Sequence, residues 1–434
     1  MKGLSPPGRQ PGWNEQDLVR RLCHALDIAE KAIKCLASEG FTDPDEPGNG
    51  IRPEKPISET AVLLLAASAV ADHAEVGVRI QHVAQLLIPH ARSERALLGM
   101  CLEAALALDY AQAHICLTRL GYPNPGFDAM LRQTAMSQAR AGRERIPHRA
   151  LEQQWLTGMW KNSGSQPATR TVPASALSQP LDLFSGSRED IYAFTHALMY
   201  VTDFGICPGR LPRPRSVILA EAEVLLAFCL DEQDYDLAGE VLLAWPLTGK
   251  SWSPAAAFGF RVLAHVEDRA GFLPAPTTRL DRLRQLQGND RTIYLLASAY
   301  HTAYVMGLLC AAALRPGRAP PSQIPVKDVI HGSADAILQF LNTEASRHHW
   351  QEEFNLLSAP ERDALAGLLL CVAIRRSISK REFGAVAKLL EIGYTVGLAD
   401  TPASSQAAEM LERLALFMDI TRGASSSGAG GGAA

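Results

Sequence analysis

The sequence predicts an all-α fold of stacked antiparallel helical hairpins, arranged as an α/α toroid or an irregular helical bundle. Three observations predict it. Apolar residues recur near a 3.6-residue period in segment after segment. Period-two alternation is scarce, and no hairpin dipeptide stands between β-branched runs. The breaks between periodic segments are short and rich in Pro, Gly, Asn and Asp, as turns between packed helices are.

The elements follow in order. Leu18, Leu22, Leu26, Ala29 and Ile33 give one apolar stripe over 17–36. Residues 43–56 are a turn-rich break. Ser58 then precedes a helix over 58–71, with Glu59 in its first turn, where the helix dipole favours a carboxylate. Its partner is 76–89. Helices over 94–110 and 110–120 form the next pair, closed by the Pro/Gly-rich turn at 121–126, and 127–141 and 149–160 follow. Residues 161–187 are rich in Ser, Thr and Pro, which marks a linker or surface loop between an N-terminal helical region (1–160) and a C-terminal helical domain (188–420). That second region reads as helices over 188–203, 216–230, 235–245, 253–270, 278–286, 292–314, 325–343, 359–376 and 380–398. A low-complexity tail at 421–434 reads as disordered. No fixed repeat length emerges, which argues against a regular solenoid.

Composition narrows the function. The 434 residues are 47% hydrophobic and 20% charged, so a largely disordered chain is excluded. A net charge of −4 offers no field for a nucleic-acid backbone, and no nucleic-acid partner is expected. The eight cysteines are scattered without a CxxC pair, and the N-terminus holds no apolar signal-like run; both point to the cytoplasm. Residues 293–314 are long enough to span a membrane and lack Asp, Glu, Lys and Arg. They also carry three tyrosines and His301, polar groups that are costly in lipid, so a buried helix is expected rather than a span.

One polar stripe stands out. His196 and Asp203 are seven positions apart, so on a continuous helix they lie only about 20° apart around the axis. Tyr192 and Tyr200 flank the same face. Asp236 and Glu240 share a face one turn apart, and Tyr300, His301 and Tyr304 interrupt the most apolar helix. Polar groups on apolar helices must find partners or bind something. His196, Asp203, Asp236, Glu240 and His301 suit imidazole–carboxylate acid–base chemistry or a divalent metal, with Tyr192, Tyr200 and Tyr300 contacting substrate. The plainer alternative is two core histidines with hydrogen-bond partners, a helix-end aspartate and an acidic first turn. No GxSxG, Cys–His pair, Walker A or GxGxxG motif is present, and Cys207 reads as a loop cysteine. Arg210, Arg213 and Arg215 read as a solvated loop, and His348–His349 as surface.

The segments THALMYVTDFG (195–205), YDLAGEVLLAW (235–245) and YHTAYV (300–305) resemble an uncharacterised family of helical domains of actinobacteria, found beside peptide-derived natural-product gene clusters. VEDRAGFLP (266–274) loosely resembles the Gln-x-x-Asp-Gly turn of terpenoid-cyclase-like α/α toroids, with Glu267 in place of the glutamine. The resemblance implies a helical toroid and no particular activity. Two functions are therefore expected to compete. One is an enzyme of specialised metabolism holding a peptide or small hydrophobic substrate in a central cavity. The other is a non-catalytic scaffold binding a partner enzyme or peptide.

Overall fold

A computed structural model describes residues 13–43, 46–137, 142–161, 175–206, 211–327, 330–341 and 348–427. Among them the fold is all-α, as the periodicity predicts. Helix α1 (Glu15–Lys34) opens on a capping box between Asn14 and Asp17 and buries the expected stripe. Then come α2 (Glu54–Ser68), α3 (Ala74–Ala91), α4 (Glu94–Leu102), α5 (Ala107–Arg119), α6 (Pro125–Ala135) and α7 (Pro147–Trp160). After the 161–187 stretch follow α8 (Arg188–Val201), α9 (Arg215–Asp231), α10 (Tyr235–Leu242), α11 (Ala244–Thr248), α12 (Pro254–Ala270), α13 (Leu280–Gln285) and α14 (Gly288–Ala313). The chain continues through α15 (Ser333–Leu338), α16 (His349–Asn355), α17 (Ala359–Asp363), α18 (Ala366–Ser379), α19 (Phe383–Thr395) and α20 (Pro402–Ser427).

Several expectations are corrected. The break at 43–56 contains a small antiparallel hairpin, β1 (Phe41–Asp43) with β2 (Glu46–Ile51). Ser58 is not a cap: α2 starts at Glu54, and the Ser58 hydroxyl donates to the Lys55 carbonyl inside the helix. The helix expected over 94–110 stops at Leu102 and resumes after a 3₁₀ turn, Ala104–Leu106. The 359–376 helix divides into α17 and α18, and 325–343 shrinks to α15. Helices α16 and α20 carry no strong apolar period. Helix α20 is held by small residues, Ala403 and Ala407, which are fully buried. It continues to Ser427, so the start of the expected tail is helical.

Helix α14 explains its own composition. It packs against α1, α2, α10, α11 and β1, and so has almost no face left for solvent. It is the one described helix long and apolar enough by itself to cross a membrane, and 72% of its apolar window is buried inside the fold. One contiguous apolar core runs from Leu18 on α1 to Ala407 on α20. Leu177 and Leu183, within the stretch read as a linker, are part of it, so 161–187 does not separate two cores.

Candidate functional site

Helices α2, α4, α5, α7, α8, α10 and α14 converge on one cavity of about 610 Å³, with α4 and α5 supplying Arg95, Asp109, Tyr110 and Gln112. Helix α2 contributes Glu59 and Val62, α7 Arg149 and Glu152, α8 Tyr192, His196, Met199 and Tyr200, α10 Glu240, and α14 His301, Tyr304, Val305 and Leu308. The sequence explains the placement. Helices α8, α10 and α14 are apolar on most sides, so their few polar residues collect where helix meets helix around an unfilled space.

The polar groups form a chain. Glu240 is almost wholly buried, and its Oε1 lies between two imidazoles, 3.4 Å from His196 Nε2 and 3.6 Å from His301 Nε2. Its Oε2 accepts a 2.5 Å hydrogen bond from the Thr195 hydroxyl. His301 Nδ1 lies 3.1 Å from Glu59 Oε2, and its Nε2 is also 3.6 Å from Asp236 Oδ1. The Tyr192 ring stacks on His196 at 3.7 Å between centroids and fixes the imidazole plane. His148 packs edge-on against both rings.

The charges follow from this geometry. Burial alone would strip His301 of its proton, but Glu59, Asp236 and Glu240 outweigh burial and hold its pKa well above the ordinary imidazole value. Burial would raise Glu240, yet His196 and His301 bring it below the usual carboxylate range. Glu59 is also lowered, its burial outweighed by His301. Asp236 goes the other way, raised mainly by burial. His148 is pushed down to about 4 by burial and by the neighbouring His196, so it is neutral near pH 7. The result is an imidazolium held by carboxylates, next to a second imidazole that shares Glu240.

The sequence-derived set is thus mostly brought together. His196, Glu240 and His301 line the cavity, and Asp236 supports His301 from behind. Tyr192 and Tyr200 line it too, and the Tyr200 hydroxyl donates to Glu152 Oε1 at 2.7 Å. Tyr300 does not line the cavity; it is buried behind Glu59, which raises its pKa after burial has done so. Asp203 must be corrected. Helix α8 ends at Val201, and Asp203, Phe204 and Gly205 take positive φ values of 51°, 51° and 78°. The chain turns away, and Asp203 accepts a 2.5 Å hydrogen bond from Trp155 Nε1 instead of joining His196.

Glu59 and Glu152 were not assigned to the site from sequence. Glu59 was read as a first-turn acid, but it sits in the second turn of α2, and its spacing from Val62 would have placed it on an inward face. Glu152 is nearly buried, ion-paired to Arg149 at 2.8 Å and bonded to Tyr200. Arg213 is no solvated loop residue: it grips Glu221 with two bonds of 2.6 and 2.7 Å. His348 and His349 are tied to Arg376 and Tyr235. Cys207 and Arg210 lie outside the described residues. As for a metal, no group of three or more His, Cys, Asp or Glu side chains is arranged to hold one among the described residues.

The cavity helices fall within one family match. The chain belongs to the family described as Domain of unknown function (DUF6895). Its family model matches residues 23–311. That span takes in every residue named above as lining the cavity and stops near the end of α14. No curated protein matches the chain, and no solved structure does.

Proposed function

We propose that this DUF6895 chain binds a peptide or small, largely hydrophobic molecule in the α2–α4–α5–α7–α8–α10–α14 cavity, and that His196 acts on it as an acid–base group oriented by Glu240. One observation carries the reading: paired imidazole and carboxylate groups line a cavity of ligand size whose other lining includes Val62, Met199, Tyr304, Val305 and Leu308. In this reading Glu240 orients His196 through Nε2, Tyr192 fixes the ring plane, and His301 keeps Glu240 ionised. The substrate class comes from the resemblance at 195–205, 235–245 and 300–305, and with it a role in peptide-derived natural-product biosynthesis in an actinobacterial cytoplasm. A helical toroid belongs to the same proposal.

A second reading is a scaffold for a partner enzyme or other protein. It is favoured by α20, where Leu416, Phe417, Met418 and Ile420 are exposed.

The test is ligand-observed NMR against a panel of N-acylated dipeptides and hydrophobic amines, with wild type and His196→Ala. Binding is expected in the wild type and lost in the variant, while the thermal midpoint changes by about 2 °C or less. A large loss of stability, with no binder found for the wild type, would make His196 a packing residue.

A further inference from the structure

Two arginines outside the cavity have no carboxylate within ion-pair distance among the described residues. Arg315 and Arg318 follow α14 and face the left-handed turn that ends α8. Gly205 at that turn has φ of 78°, and a Cβ there would lie 2.9 Å from Nη1 of both arginines, so the two guanidinium groups are neighbours. Arg318 Nη1 donates to the carbonyls of Gly205 (3.1 Å) and Pro246 (2.9 Å), which fixes it without neutralising it. Arg315 is half-buried, and its Nε is buried with no hydrogen-bond partner among the described residues. Asp203, whose Oδ1 accepts from Trp155 Nε1, is the carboxylate that acts on it, through space rather than by a direct ion pair. Burial, and then Arg318, outweigh Asp203 and push the Arg315 pKa down to about 10.

We infer that Arg315 and Arg318 form a binding site for a phosphate-type dianion, either free or carried as a monoester on a small molecule. Two adjacent guanidinium charges, only partly offset by Asp203, favour a dianion over a monoanion. The planar donor fork of arginine matches its oxygens in shape. The alternative is that the carbonyl ends of α8 and α14 balance the two charges by themselves. Arg315 and Arg318 lie beyond residues 23–311 and do not line the cavity, whereas the Gly205 turn that they face lies inside the matched region.

The experiment measures thermal midpoints of the full chain in low-salt buffer. Inorganic phosphate, glycerol phosphate, acetate and chloride are titrated at matched ionic strength, for wild type and Arg315→Met. Phosphate or its ester should raise the wild-type midpoint saturably by about 2 °C or more, since binding only the folded state stabilises it. The larger of those two shifts names the free ion or the ester. Acetate and chloride should not reproduce the rise. Arg315→Met should lose it, and should start from a higher midpoint because an incompletely balanced charge is gone. If that variant fails to fold, Arg315→Gln is read the same way. No saturable rise in the wild type, an equal rise in the variant, or an equal rise with acetate overturns the proposal.

Discussion

His301 and His148 sit close to the same cavity wall with opposite protonation preferences. That difference sets a pH profile. His301 is raised above its unfolded value near 6.5, so its stabilising contribution is complete below pH 6.5 and is lost as pH climbs through the folded pKa. His148 is lowered to about 4, so unfolding takes up a proton there, and stability falls as pH drops from 6.5 towards 4. Glu240, held below its unfolded 4.5, adds a further loss under that value. Stability should therefore peak near pH 6.5. Denaturant unfolding across pH should show the alkaline limb flattened in His301→Gln and the limb from 6.5 to about 4 flattened in His148→Gln. Unchanged limbs would mean the two imidazoles titrate as they do in the unfolded chain. The same residues show what a sequence can reveal of a site. His196, Glu240 and His301 were legible because a polar group on an apolar helix is conspicuous. Asp203 was misplaced because the spacing argument assumes the helix continues, and it ends two residues earlier. Glu59 and Glu152 were missed because an acid beside ordinary helix-surface residues looks solvated until a second helix covers it.

At the scale of elements, α14 is held close to its neighbours by glycine. A Cβ on Gly307 would lie 2.6 Å from Ala25 Cβ on α1 and 2.9 Å from Leu63 Cδ1 on α2. Across the helix pair, a Cβ on Gly239 of α10 would meet Val305 Cγ1 at 2.6 Å. Alanine in a helix normally gains about 1 kcal/mol over glycine. Overpacking a close contact costs about 1–3 kcal/mol. Gly307→Ala should therefore destabilise by up to about 2 kcal/mol, whereas Gly158→Ala on α7, where nothing lies within 4 Å, should stabilise. Chemical denaturation of the two variants decides it; equal effects would show that α1 and α2 yield freely. Elements with strong apolar stripes, α1 among them, were readable to within a few residues. The hairpin at 41–51 was not, because Gly, Pro and Asn dominate it and its pairing depends on backbone bonds rather than on side-chain pattern.

For the whole molecule the decisive fact is that the core is shared. Helices α1 and α2, from the first third of the chain, bury their apolar faces on α14, nearly three hundred residues from α1 in sequence. A fragment of residues 1–160 keeps α1 to α7 but loses that surface. It would leave the apolar stripe of α1, including Leu18, Leu22, Leu26 and Ile33, facing water. At about 1.5–3 kcal/mol for each large aliphatic side chain, the exposed stripe exceeds the margin by which a domain is ordinarily stable. The fragment should therefore lack a cooperative thermal transition by circular dichroism, or aggregate. The full chain should unfold with α1 and α14 lost together, so that amide hydrogen exchange in the two helices shows the same protection. A fragment that melts cooperatively with near-native helicity would mean that the first seven helices close a core of their own and that α14 packs on afterwards. The cavity would then lie between two independently folded parts, and Glu59 would reach His301 only when they dock.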